Sequence, residues 1–144
     1  MQTFRFRLTR VMEWYQHQYE LEERRFSACL AALAGSQKAI AALQAERLSI
    51  ERDIVSRTAI PSRDFVALGL YRLQAKKREL ELQAARDRCQ AAVEEQQVKL
   101  RAAQRKLRLL EKLRERRVAE YVYAEARELE ELAADAFFAK WASR

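Results

Sequence analysis

The sequence predicts an all-α chain, folded as a long antiparallel two-helix coiled-coil hairpin with unequal arms. Three observations carry that prediction. The 144 residues contain only two Gly and one Pro, too few for the turns a β or α/β fold requires. Ala, Leu, Glu, Arg, Lys and Gln dominate, and these are the strongest helix formers. The apolar residues of the first half repeat at heptad spacing over six heptads.

The elements follow in order. The single candidate reversal is SRTAIPSRDF, residues 56–65, which holds the sole proline, Pro61. Proline cannot sit in a helix interior and disfavours helix in the residue before it. Ser62 is a good N-cap type, and Asp64 falls in the first turn that follows. The 144 residues therefore read as one helical hairpin: a helix over about 4–57, a turn over about 58–62 and a helix over about 62–141.

In the first helix Met12, Tyr19, Phe26, Leu33, Ile40, Arg47 and Ile54 occupy the a positions. Leu8, Tyr15, Glu22, Cys29, Ser36, Leu43 and Ile50 occupy d. In the second, Phe65, Leu68, Ala75, Leu82, Cys89, Val93, Leu100, Ala103, Leu107 and Leu110 share a seam. Leu73 and Leu80 lie off it, which predicts a local phase shift. Folding at Pro61 brings Cys29 and Cys89 within about one layer of each other, as two small core residues with reduced thiols.

At about 1.5 Å per residue the arms would reach roughly 80 and 120 Å. The second helix outruns the first at about residue 118, leaving an overhang over about 118–144. Its Val118, Tyr121, Val122, Leu129, Leu132, Phe137, Phe138 and Trp141 make an amphipathic face with nothing of its own to bury against. Phe4, Phe6, Trp14 and Tyr15 are the residues that could absorb part of it. Near the turn, Leu43, Leu48, Ile50, Phe65, Val66, Leu70, Tyr71 and Leu73 exceed what one seam can bury, so some of them face solvent or a partner.

The net charge of +7 is local. Residues 99–117 hold nine basic residues against Glu111 and Glu115, whereas residues 118–144 hold six acidic against three basic. Arg101, Arg105, Arg108, Lys112 and Arg116 repeat at steps of four and three, on one helix face away from the seam. Arg5, Arg7 and Arg10 come to the same end of the hairpin. Such a collar suits an acidic partner surface. Nucleic acid is the competing partner, disfavoured by the acidic segment that follows and by the lack of aromatics interleaved with the stripe.

No phosphate loop, GxSxG or HExxH is present, and one His with two Cys is too few for a zinc site. His17, among Gln16, Gln18 and Glu20, reads as a solvated side chain. We therefore expect no enzymatic activity, no metal and no cofactor. The longest purely apolar run is far short of the ~20 residues that span a bilayer, and the N-terminus lacks a signal-peptide core, so we expect a cytoplasmic protein.

The segments FRFRLTRVMEWYQHQYELEERRF and KLRLLEKLRERRVAEYVYAEARELEELA resemble the FliJ family of flagellar type III export proteins. The likeness extends to the length and the hairpin layout, and covers nearly the whole chain. The resemblance implies a coiled-coil stalk, similar to the γ subunit of rotary ATPases, serving protein export and flagellum biogenesis. Its partners would be the hexameric flagellar export ATPase, the cytoplasmic domain of the export-gate membrane protein, and export chaperones. It would be peripheral at the inner face of the cell membrane through those partners. Carried onto this chain, the ATPase-binding residues would be Arg5, Arg7, Arg10, Arg105, Arg108, Lys112, Arg116 and Tyr121. The export-gate surface would be Gln37, Gln44, Leu48, Tyr71 and Ala75. A stalk protein of a virulence type III system, a nucleic-acid-binding hairpin and a purely structural coiled-coil adaptor are the alternatives.

Overall fold

The computed structural model describes residues 3–142. The first two residues, and the last two of the predicted overhang, lie outside it. Two helices, α1 (Thr9–Val55) and α2 (Ser62–Ala142), make an all-α hairpin, with no strand among the described residues. Their lengths, 47 and 81 residues, make the arms unequal.

α1 starts at Thr9, not at about residue 4. Residues 3–6 are not helical and Arg7–Leu8 form a turn; Phe4 and Phe6 are half-buried while Arg5 and Arg7 are exposed, so both rings lie on the covered side. Phe6 closes the segment by accepting from the Thr9 amide (3.2 Å) and hydroxyl (2.6 Å).

The reversal around Pro61 is built as the sequence implies, with one difference. The Pro61 carbonyl accepts from the amides of Asp64 (2.9 Å) and Phe65 (3.4 Å), so Pro61, not Ser62, holds the capping position of α2. Ser62 is the first helical residue. Arg57 joins the two sides of the turn, bonding Asp53 at 3.1 Å and Asp64 at 3.3 Å.

The chain divides into two compact units, one formed by its two ends, up to Glu20 and from Arg101, the other by Leu21–Leu100. In the second unit the α1 heptad is realised as read. Phe26, Cys29, Leu33, Ser36, Ile40, Arg47, Ile50 and Ile54 are half-buried, and Leu43 is buried. Facing them, Leu68, Ala75, Leu82 and Cys89 run on to Gln96 at unbroken seven-residue spacing, so no phase shift occurs. Leu73 and Leu80 are simply exposed, at 71% and 59%. Phe65 is exposed as well; Asp64 and Leu68 face inward in its place.

This seam is crossed by polar layers. Gln96 is buried and donates to both the side-chain carboxylate and the backbone carbonyl of Glu22. Arg47 meets Glu79 at 3.0 Å. Ser36 Oγ lies 3.6 Å from Cys89 Sγ. Cys29 is one heptad from Ser36, about 10 Å along α1. That separation exceeds the ~7 Å a disulfide tolerates, and both cysteines are free.

The middle of α1 is Ala-rich, and the helix is long and apolar enough by length and composition to cross a membrane. In this structure Leu33, Ile40 and Leu43 of that stretch pack in the seam instead.

Candidate partner-binding surfaces

The unit formed by the chain ends carries the basic stripe. Its core is small: Leu107 is buried, and Met12, Tyr15, Tyr19, Ala103, Leu110 and Leu113 are half-buried. These residues fix which way α2 faces. Arg101, Arg105, Arg108, Lys112 and Arg116 are all exposed on the opposite side. Among the described residues none of the five makes an ion pair, and neither do Arg5, Arg7 or Arg10; Arg117, one position on, pairs with Glu120 at 2.8 Å. A row of unneutralised cations at i,i+3 and i,i+4 spacing repels itself, by a few tenths of a kcal/mol per pair. The arrangement therefore favours any surface that brings carboxylates or phosphates to it.

Tyr121 does not present itself freely beside that stripe. It is half-buried and stacked on Phe4, with ring centroids 5.6 Å apart and planes at 56°. The N-terminal segment lies over a groove shared with Leu113, Arg117 and Glu120. This moves the predicted start of the overhang. Residues 3–6 precede a turn at Arg7–Leu8 and are not helical, and Phe4 reaches Tyr121 on α2. Val118, Tyr121 and Glu125 are half-buried in consequence, and continuous exposure begins at Ala126.

From Val122 on, most of the apolar side chains are exposed among the described residues. Val122, Tyr123, Leu129, Leu132, Phe137, Phe138 and Trp141 are each at least half exposed. Phe137 and Phe138 meet each other edge to face at 6.1 Å. Of the N-terminal aromatics, Phe4 meets Tyr121 of α2, whereas Trp14 is 56% exposed and meets Tyr15 edge to face. His17 is exposed, with Nδ1 3.8 Å from the Glu20 carboxylate.

In the Leu21–Leu100 unit, the residues assigned to a gate surface do not form one patch. Gln37, Gln44 and Leu48 are exposed on α1, and Gln44 and Leu48 line a shallow groove with Glu51 and Glu79. Ala75 is 4% exposed, inside the seam, because its small side chain lets the helices approach there. It cannot touch a partner while the helices stay paired. Tyr71 is half-buried, and its hydroxyl is covered without a hydrogen-bond partner. Burial pushes its pKa above the usual tyrosine value; Glu46 and Glu51 push the same way, and Arg47 opposes them.

Val66, Leu70 and Leu73 are among the residues the sequence marks as exceeding one seam near the turn; what it did not show is that they form one outer face of α2 together with Leu80. Val66, Leu70, Leu73 and Leu80 are 65%, 64%, 71% and 59% exposed. Their 4-3-7 spacing was the available signal: it is itself a heptad row, set opposite the seam row rather than beside it. Among the described residues no group of three or more His, Cys, Asp or Glu could hold a metal ion. No protein-family model, curated protein or solved structure matches the chain.

Proposed function

We propose that this chain is a coiled-coil stalk or adaptor whose basic face seats in an acidic protein partner. On the resemblance of its two terminal segments, that partner is the hexameric ATPase of flagellar type III export, with the protein working in the cytoplasm at the inner membrane face. The single observation that supports the reading most is the lack of internal ion pairs for Arg101, Arg105, Arg108, Lys112 and Arg116. A helix made for its own stability would neutralise such a row with i,i+4 acids.

The experiment is charge reversal at R108E, K112E and R116E, with stimulation of the purified export ATPase as readout. Stimulation is expected to fall at least tenfold while helicity stays the same. Unchanged stimulation in a folded triple variant rejects the reading. A contact with the export gate is the second part of the proposal. On the surface available, it would run through Gln37, Gln44 and Leu48, with Ala75 and the Tyr71 hydroxyl covered. Binding of export chaperones rests on the resemblance alone. Steep salt-dependent binding to duplex DNA, with no effect on the ATPase, would move the assignment to nucleic acid.

A further inference from the structure

We propose that two copies of this protein pair antiparallel through the outer face of α2 next to the turn, about a two-fold axis level with Ala75. The outer row runs Arg63, Val66, Leu70, Leu73, Lys77, Leu80, Ala84, Asp87, in steps that alternate three and four. Such alternation defines a coiled-coil seam. Every residue of the row is exposed, and the row lies across the helix from the seam that α1 fills. Val66, Leu70, Leu73 and Leu80 are each more than half exposed. A contiguous apolar row of this kind marks a protein contact, and its charges select a second copy of the same row.

In a two-fold contact residue i meets j and j meets i. The antiparallel register sets Leu70 on Leu80 of the second copy, Val66 on Ala84, Leu73 on Lys77, and Arg63 on Asp87. Opposite charges thus close both ends of the apolar row. Parallel in-register pairing instead sets Arg63 on Arg63, Lys77 on Lys77 and Asp87 on Asp87. Shifting the antiparallel register by one heptad either way breaks the Arg63–Asp87 pairs. Lys77 covers Leu73 with its stem and carries its ammonium to the edge. A lone lysine in a seam fixes the mode of assembly at a cost in stability. Lys76 and Lys77 of both copies lie near the axis, and their repulsion keeps the affinity low.

The charged ends are free to pair. Arg63 sits in the first turn of α2, where the helix dipole disfavours a cation, and among the described residues it forms no ion pair. Its neighbour Asp64 is bonded by Arg57. Asp87 takes two bonds from the adjacent Arg86, both on Oδ1, which leaves Oδ2 for a second guanidinium. The paired stretch, Arg63 to Asp87, is about 36 Å of helix on each copy. It ends where the second copy's chain turns back, so it stays inside the Leu21–Leu100 unit. α1 of each copy lies on the far side, and nothing is displaced. A helix about 10 Å wide paired over that length buries on the order of 1,000 Å² in total, the lower limit for a specific interface. We therefore expect a dimer of micromolar affinity. The contact does not rest on the reading of the basic face.

Sedimentation velocity of the purified full chain from about 1 to 100 μM tests this. The wild type is expected to pass from monomer to dimer and no further. Leu70→Glu lies at an exposed position, so the variant is expected to stay folded by circular dichroism and to remain monomeric. Arg63→Asp and Asp87→Arg should each weaken the dimer about tenfold. The chain carrying both changes should regain it, because opposite charges then face each other again. Orientation is read by oxidative cross-linking after Cys29 and Cys89 are changed to Ala. Val66→Cys and Ala84→Cys chains should cross-link when mixed, and neither should do so alone. A wild type that is monomeric throughout overturns the proposal, even if the face then binds another protein. A dimer that survives Leu70→Glu, or cross-linking of the Val66→Cys chain with itself, overturns it too.

Discussion

Arg47 and Glu79 hold each other at 3.0 Å across the seam of the Leu21–Leu100 unit, in positions a coiled coil ordinarily fills with aliphatic residues. Their side chains are 32% and 20% exposed, so screening is incomplete but real. Arg47→Ala leaves Glu79 half-buried and unpaired, and is expected to cost about 1–2 kcal/mol, between the surface and buried limits. The Arg47→Met, Glu79→Leu double variant should recover that loss. Urea midpoints of the two variants check both statements.

Gln96 is another polar residue built into the seam, and its amide donates to the Glu22 carboxylate. Gln96→Glu would set two carboxylates against each other at hydrogen-bond range. Stability at neutral pH should drop by about 2–4 kcal/mol. Acidifying to pH 4 should return part of it, which thermal melts at the two pH values would register.

Tyr71 sets a limit on the alkaline side. Its folded-state pKa is raised, chiefly by burial. A group raised in this way contributes fully below its unfolded value, and the contribution is lost as pH rises through the folded one. Melting temperature is therefore expected to fall above about pH 10. Tyr71→Phe should flatten that fall. It should also lift the plateau below it, because the covered hydroxyl has no partner. A plateau that drops instead would show that the hydroxyl is satisfied.

The described residues from Ala126 onward are all exposed. Ending the protein after Glu125 should leave the thermal midpoint within about 2 °C, while lowering the helical signal in proportion to length. A collapse of the midpoint would mean that the C-terminal helix supports the hairpin. A change that appears only at high concentration would instead reflect association between copies.

The helical class, the single reversal at Pro61 and the α1 heptad register were legible in the sequence. All three rest on local chemistry: propensity, proline geometry and a period that repeats six times. The basic row was legible too, because spacing alone places residues on one helix face.

Other features needed the tertiary structure. The helix does not continue through Phe4 to Leu8, which end in a turn, and Phe4 meets Tyr121 instead. The contact holds Tyr121 in place and carries coverage of α2 past residue 118. Ala75 and Leu48 are both apolar residues near the turn, yet one is sealed in the seam and the other lies on a flank. Composition cannot separate them; only the pairing of α1 with α2 decides which positions face inward. Leu73 and Leu80 belong to a second heptad row of the same helix, and a row found in sequence does not say which of two faces its neighbour takes. The sequence by itself determined the elements and the charge pattern, because those are properties of one helix at a time. The covered, exposed and unpaired residues were decided by packing, because each depends on a neighbour distant along the chain.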